Sequence, residues 1–450
     1  MLIDFSTENF LSFYNTQHLS MQAGKFRNNS NRLKIQGKNK LLKFMSIYGA
    51  NASGKSNLVS ALGFFQAIVI NSFNSGSYPL YCKVKEVYKE QPTSFEIKIL
   101  INGKVFVYGF KTIMVESFFT NEWLYEELQN GSKKYVFTRD IINGKFTLGD
   151  YISTKNHIER LNIYGEDIKS DNSVLFLKLM NQNKATLYDK GSKICVFRDV
   201  FFWIKYKLDV NSPESPITNY SVLNDAEGID KITRKLLEFA TGVVKFDIVP
   251  ISEEKIAANL PNDMIKEIQQ RLLEQKKHLQ ELPADYKPTV LIRMSDGSKM
   301  YIIELNDEGM LDFKTMSFRH KNSETVFSLD DESDGTIRLL DIIEVLLTSE
   351  EEKVYVIDEI NRKFHPLLTR KFVEEFLELA KTKNIQLIVT THESQLMDLS
   401  LLRRDEINFI NKDENGYSTI YSLDNYDVRF DKKVINEYLK GHYKAIPIWE

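Results

Sequence analysis

The sequence predicts an α/β fold in which a parallel core sheet carries a phosphate-binding loop, beside a mixed N-terminal sheet and interrupted by a mainly helical insertion. Three observations predict it. The apolar run Leu41 to Tyr48 leads into Gly49-Ala50-Asn51-Ala52-Ser53-Gly54-Lys55-Ser56, and Leu58, Leu62, Phe65 and Val69 then share one helical face. Two short, uninterrupted apolar runs, Val354 to Ile357 and Leu387 to Thr390, read as strands buried on both faces. They lie about three hundred residues beyond the loop they should flank, so the stretch between must include an insertion.

In chain order, residues 1–22 alternate apolar and polar and suggest two short strands. Ala23 to Lys43 breaks the pattern with Arg27, Arg32, Lys34, Lys38, Lys40 and Lys43 among Asn, Ser and Gly, and reads as a solvated basic loop. After the first helix, Ser94 to Leu100 and Val105 to Phe110 flank Asn102-Gly103 and form a hairpin, with a further strand near Glu122 to Leu128. Between about 140 and 310 the texture changes, with Phe197, Phe201, Phe202, Trp203 and Tyr206 clustered and breaks at Pro213, Pro216 and Pro250. Asn262 to Leu282 is a polar helix with Ile265, Ile268, Leu272 and Leu279 at helical spacing, too short for a coiled coil. The expected division is 1–139 for the first half of the core, 140–315 for the insertion, 316–430 for the second half and 431–450 for a tail.

The loop chemistry follows from its residue types. Gly49 and Gly54 let backbone N–H groups of Asn51, Ala52, Ser53 and Lys55 crowd around a phosphate, and Ser56 and Asn57 open the helix whose N-terminus adds positive potential. Lys55 bridges β- and γ-phosphates and the Ser56 hydroxyl ligates Mg²⁺. Asp358 and Glu359 end the apolar strand Val354 to Ile357: Asp358 suits Mg²⁺, and Glu359 suits orienting and deprotonating a water. His392 ends the next strand and could reach a γ-phosphate. Ser333-Asp334-Gly335-Thr336 opens the apolar helix Ile337 to Leu347, a pattern suited to capping or to an external anion; Asp330, Asp331 and Glu332 read as a solvated turn.

Composition excludes little beyond this. The 450 residues carry 59 Lys plus Arg against 62 Asp plus Glu, a net charge of −3 that points to neither nucleic acid nor membrane. Cys82 and Cys195 stand far apart, as reduced buried thiols do, and the N-terminus lacks a signal pattern, so a cytoplasmic protein is expected.

Taken together, Gly49 to Ser56, Ser333 to Thr336, Ile357-Asp358-Glu359 and Thr391-His392 resemble the Walker A, signature, Walker B and switch-histidine elements of an ABC-type ATPase, in that order. The opening Asn9-Phe10-Leu11-Ser12-Phe13 and the split core resemble the branch holding RecF, the chromosome-condensation ATPases and the overcoming-lysogenisation-defect nucleases. Pro92 to Ile97, Glu122-Trp123-Leu124-Tyr125, Asp358 to Asn361, His365 to Leu368 and Tyr438 to Pro447 are similar to compact ATPases of phage-defence and abortive-infection operons. Leu11 stands where many relatives have a basic residue, and the glutamine that links site to insertion has only Gln182 and Gln91 as candidates.

The resemblance implies ATP and Mg²⁺ as ligands, sandwiched between two copies so that Ser333 and Gly335 of one meet the γ-phosphate on Lys55 of the other. It further implies a homodimer or larger homo-oligomer, a separate nuclease-like effector, and a DNA or phage-protein trigger. Fewer than sixty residues follow His392, too few for the nuclease domain of the lysogenisation-type relatives, hence the expected effector. The rival expectations are a RecF-like clamp on DNA through Lys34, Lys38 and Lys40, and an ATP-stabilised scaffold. The aromatic tail, Tyr438 to Trp449, is a candidate docking segment whose other role is packing on its own domain.

Overall fold

A computed structural model describes residues 1–450 except 27, 74–78, 190, 213–222, 224–225, 278–287, 295–298, 307, 427–433 and 447–450. Arg27, Pro213, Pro216, Leu279, Leu282 and the tail from Pro447 to Trp449 therefore lie outside the described residues. The chain forms two compact units, residues 1–215 with 349–450, and residues 216–348. These bounds differ from the sequence-based division, because two strands of the first unit, at 145–148 and 208–211, lie within 140–215, and residues 316–348 belong to the second unit.

The first unit begins with β1 (Leu2–Glu8) and β2 (Gln17–Ser20), followed by a small hairpin, β3 (Lys34–Gln36) and β4 (Asn39–Leu41), and then β5 (Phe44–Tyr48). The loop and α1 (Lys55–Asn71) follow, then a meander of β6 (Thr93–Ile101), β7 (Lys104–Ile113), β8 (Phe118–Glu127), β9 (Lys133–Asp140) and β10 (Lys145–Leu148). Asn102 and Gly103 between β6 and β7 both have positive φ, +50° and +78°, as the expected tight hairpin turn requires. Helices α2 (Lys155–Ile168), α3 (Phe176–Met180) and α4 (Val196–Phe202) lead to β11 (Leu208–Asn211).

The second unit takes over with α5 (Ala226–Glu238), β12 (Val243–Pro250), α6 (Glu253–Ala257), α7 (Asn262–Lys277), β13 (Thr289–Arg293), β14 (Met300–Leu305) and β15 (Leu311–His320), then α8 (Asp334–Ile342) and α9 (Glu344–Leu347). The chain returns to the first unit as β16 (Val354–Ile357), α10 (Pro366–Thr382), β17 (Gln386–Thr390), β18 (Ile407–Lys412), β19 (Ser418–Ser422) and α11 (Val434–Leu439).

The mixed N-terminal sheet of the sequence reading resolves into two sheets. One is antiparallel throughout, in the order β10-β9-β8-β7-β6-β1-β2; the other, β11-β16-β17-β5-β18-β19, is parallel except for its β19 edge. Helix α1 lies between them, which explains why it is apolar on more than the predicted face. Phe65 packs on Phe5, Phe95 and Phe110 of the antiparallel sheet, and Leu58, Ala61 and Leu62 belong to the same buried cluster as Met45, Ile47, Val356 and Ile388 of the parallel one. Buried Gln386 joins the sheets, donating to the Leu2 and Leu42 carbonyls at 2.9 Å each and accepting from the Leu2 N–H at 2.7 Å.

The insertion carries more helix than strand, as expected, but it also holds a sheet. Its centre is the antiparallel sheet β12-β15-β14-β13, with α7 packing Ile268 and Leu272 against Tyr301, Ile303 and Phe313. The strands escaped the sequence reading because Asp, Glu and Lys interrupt their apolar positions.

The basic segment 23–43 also departs from a solvated loop. Arg32 is buried, donating to Glu406 at 3.1 Å and to the Leu401 carbonyl at 3.0 Å, and buried Lys43 caps the C-terminus of α10 through the Ala380 and Lys383 carbonyls at 2.6 and 2.7 Å. In the tail, Tyr438 and Tyr443 stack on Phe409, with centroids 5.9 and 5.2 Å away, so this part packs on its own unit. Cys82 and Cys195 are free and buried, and no described helix is long and apolar enough to cross a membrane.

Candidate functional site

Parallel pairing fixes the site. Ile47 stands opposite Thr390 and Val389 opposite Ile357, so the residues that follow β5, β17 and β16 emerge together at the carboxyl edge of the sheet. Gly49 to Gly54 follows β5, Asp358-Glu359 follows β16, and Thr391-His392 follows β17.

The loop has the backbone its sequence demands. Ala52 and Gly54 have φ of +60° and +113°, and a Cβ at Gly54 would stand 2.7 Å from the Ser418 Oγ and 2.9 Å from the Ser12 Oγ. Those two hydroxyls brace the loop from behind. Ser418 donates to the Ser53 carbonyl at 2.6 Å and its Oγ lies 2.8 Å from the Ser12 Oγ, while Asn57 donates to Ser12 at 2.7 Å. Asn57, a predicted binding residue, is thus engaged in bracing.

Lys55 Nζ donates to the Gly49 and Ala50 carbonyls at 2.8 and 3.0 Å. Burial pushes its ammonium below the ordinary lysine range, while Asp358 and Glu359 pull it back. Ser56 and Asn51 are exposed, and the buried Ser53 Oγ has no hydrogen-bond partner among the described residues.

Asp358 is buried, accepts from the Thr390 hydroxyl, and donates its N–H to the Asn211 carbonyl at 3.0 Å. Glu359 sits at φ +49°, a conformation L side chains seldom adopt, held by its N–H to the Thr390 hydroxyl at 2.8 Å. The Asn361 Oδ1 accepts from the Thr391 hydroxyl at 2.9 Å and from the His392 N–H at 3.2 Å, fixing the turn that presents the imidazole. Burial first, and then Lys55, push His392 below the usual imidazole range, which favours the neutral ring.

The edge suits a Mg²⁺-bound nucleoside triphosphate. It offers an orphaned buried hydroxyl, a helix N-terminus with no acidic side chain in its first turn, one lysine, and one hydroxyl plus one carboxylate of the kind that hold Mg²⁺ alongside phosphates and water. Among the described residues, no group of three or more His, Cys, Asp or Glu could hold a metal ion.

Ser333 and Gly335 lie in the second unit. Ser333 caps α8, accepting from the Thr336 N–H at 3.2 Å, and the preceding Glu332 pairs with His320 at 2.6 Å. Local capping, one of the two sequence alternatives, is therefore present.

Sequence reasoning missed Asn211. It is buried at the carboxyl end of β11, beside Asp358; its Nδ2 donates to Asp209 at 2.9 Å, and its Oδ1 has no partner among the described residues. Neither Gln91, just before β6, nor Gln182, beyond α3, ends a strand of the parallel sheet. Nothing in Leu208-Asp209-Val210-Asn211 distinguishes it locally from a turn, and Ser12, Thr390 and Ser418 were equally silent.

A phosphate loop, a carboxylate pair and a histidine at adjacent strand ends of one α/β sheet define a P-loop protein of the AAA class. The chain belongs to the family described as "AAA domain, putative AbiEii toxin, Type IV TA system", whose model matches residues 44–146 and 208–398. No curated protein matches it. Among solved structures it is similar to an SMC head bound to the C-winged helix domain of ScpA, at 14% identity and TM-score 0.38, covering 94% of this chain and 97% of that one. It is also similar to the SMC head domain of Thermotoga maritima, at 14% identity and TM-score 0.33, covering 94% and 98%. A third is an SMC head with an extended coiled coil bound to the C-terminal domain of ScpA, derived from Pyrococcus furiosus, at 14% identity and TM-score 0.36, covering 98% of each chain.

Proposed function

We propose that the chain is an ATP-binding, slowly hydrolysing switch whose complete active site forms between two copies, and that it controls a separate nuclease-like effector in defence against phage. The observation that carries this is the convergence of Gly49 to Ser56, Asp358-Glu359 and His392 at one sheet edge. The family's description as a putative AbiEii toxin supports the defence side of the reading.

On binding ATP, Lys55 would exchange the Gly49 and Ala50 carbonyls for phosphate oxygens, replacing neutral acceptors with charged ones that bond about twice as strongly. Ser56 and Asp358 would hold Mg²⁺, which when bound offsets the charge of the β- and γ-oxygens. Glu359, fixed by its left-handed backbone, orients the attacking water and takes its proton. Neutral His392 can donate from its ring to a γ-phosphate oxygen without adding a cation beside Lys55. Asn211, with its free Oδ1, ends its strand shortly before the chain enters the second unit and fits the place sought for the linking glutamine. Ser333 and Gly335 of a second copy, at the N-terminus of α8, would supply the remaining donors in trans.

Light scattering with ATP tests the reading. The Glu359→Gln variant should bind ATP, lose turnover by about 10²- to 10⁴-fold and accumulate as a dimer, whereas Ser333→Arg should bind ATP and stay monomeric. Turnover per subunit in the parent should rise with protein concentration; a constant value from a monomer at every dilution would overturn the proposal.

A further inference from the structure

The antiparallel sheet buries one face against α1; on the other, Leu100 and Val105 are buried in a small cluster with Leu41, while the part around Trp123 and Tyr135 is open. Across that open face the register aligns Glu96, Gly109, Trp123, Thr138 and Thr147 on five successive strands. Trp123 donates its indole N–H to Glu96 at 2.7 Å, so the side chain must cross the intervening strand. It can do so because that strand presents Gly109, where a Cβ would stand 2.5 Å from the ring. The indole therefore lies flat on the sheet, one face on Gly109 and the other outward.

The neighbouring row sets Tyr125 beside Tyr135, their centroids 5.3 Å apart, and Tyr135 is exposed. These rings floor a concavity of about 430 Å³, within the range that encloses small ligands.

The charges on this face are unequally committed. Glu96 accepts from the indole, Asp140 from the Asn143 side chain at 2.8 Å and its N–H at 3.2 Å, and Glu127 pairs with Lys98 at 2.5 Å. Glu122 also lines the concavity but is fully taken up by the Phe176 and Leu177 N–H groups, at 2.6 and 2.9 Å, and by Tyr108. Lys133, over the Tyr125 ring at 4.5 Å, and Lys145 have no carboxylate within ion-pair distance among the described residues. Hydrogen bonds from neutral donors leave Glu96 and Asp140 charged, and Asp140 stands opposite Lys145 in register, so the face offers the ammonium groups of Lys133 and Lys145 beside these carboxylates, together with its aromatic rings.

We propose that this face binds single-stranded nucleic acid, with bases stacked on Trp123 and Tyr135 and phosphates held by Lys133 and Lys145. A preset flat ring accepts any base, because every base has a π-face, and flanking lysines neutralise the backbone. A duplex keeps its bases stacked internally and offers only its backbone. A peptide has neither a regular anionic backbone nor a repeating planar group. The site rests on the antiparallel sheet alone and is independent of the triphosphate reading.

The test is fluorescence anisotropy of a labelled thymidine oligomer of about twelve nucleotides with the full chain and no ATP, at about 50 mM salt. The parent should bind, and bind the duplex form more weakly. Trp123→Leu should weaken binding about tenfold or more while Trp123→Phe, which keeps a ring, retains most of it. Lys133→Glu with Lys145→Glu should lower the slope of log affinity against log salt by about 1.4. ATP binding and the urea midpoint of each variant, compared with the parent, separate lost stacking from lost folding. No binding by the parent, equal affinity for the duplex, preference for a peptide, or binding indifferent to all these changes would overturn the proposal. Because ATP is absent from the assay, its failure leaves the triphosphate reading standing, and the reverse holds as well.

Discussion

Lys55 and His392 show how two cationic groups share one small site. Burial lowers the lysine's affinity for its proton while Asp358 and Glu359 oppose that shift, and burial and that lysine both lower the histidine's. The sign follows directly. With the folded pKa below the unfolded value of about 6.5, the unfolded chain holds more protons as pH drops through that window, so His392 subtracts stability there and nothing at higher pH. Titration of the imidazole by NMR in the nucleotide-free protein should give a midpoint below about 6.5, and Lys55→Met should raise it without restoring the ordinary value, since burial is the larger cause. An unchanged midpoint in the variant would show that the two groups do not sense each other. Lys55, Asp358, Glu359 and His392 stood out in the sequence because the proposed phosphate and Mg²⁺ chemistry would use those residue types just beyond strand ends. Asn211, Thr390 and Ser418 were not, because a single hydroxyl or amide acquires meaning only from the neighbour that folding brings to it.

At the scale of elements, the short uninterrupted apolar strands β16 and β17 and the periodic helix α1 were readable, whereas β11 was not. Its four residues include Asp209 and Asn211, both tolerated in a buried strand because Asn211 donates to Asp209 and Lys353 stands 4.0 Å from that carboxylate. Lys43 was misread for the complementary reason: a lysine beside a polar loop suggests solvent, yet the C-terminus of α10 supplies two carbonyls that need a donor. The Lys43→Met variant keeps the stem but bares those carbonyls, and should lose about 1–3 kcal/mol in urea unfolding with an unchanged m-value. A variant as stable as the parent would mean that water replaces the ammonium without cost. The sheet of the second unit shows the limit of the method: strands with charged residues on one face carry too weak a run to be told from loop.

For the whole molecule, the division into units carries its own expectation. All six strands of the parallel sheet, and the cluster around α1, belong to residues 1–215 and 349–450. A chain in which a flexible linker replaces residues 216–348 should therefore fold and bind ATP, yet fail to hydrolyse it or dimerise, as calorimetry, light scattering and phosphate release would show. Loss of ATP binding in a folded product would mean that the second unit contributes to the site within one copy. By itself, the sequence determined that a phosphate loop and a carboxylate strand belong to a single α/β core, because glycine spacing and buried apolar runs are local properties with few other uses. Only the tertiary structure decided that two sheets enclose α1, that the insertion includes a four-stranded sheet, and which distant hydroxyls brace the loop. Those outcomes depend on register and on pairings between residues hundreds of positions apart, where many partners are chemically equivalent and packing selects among them.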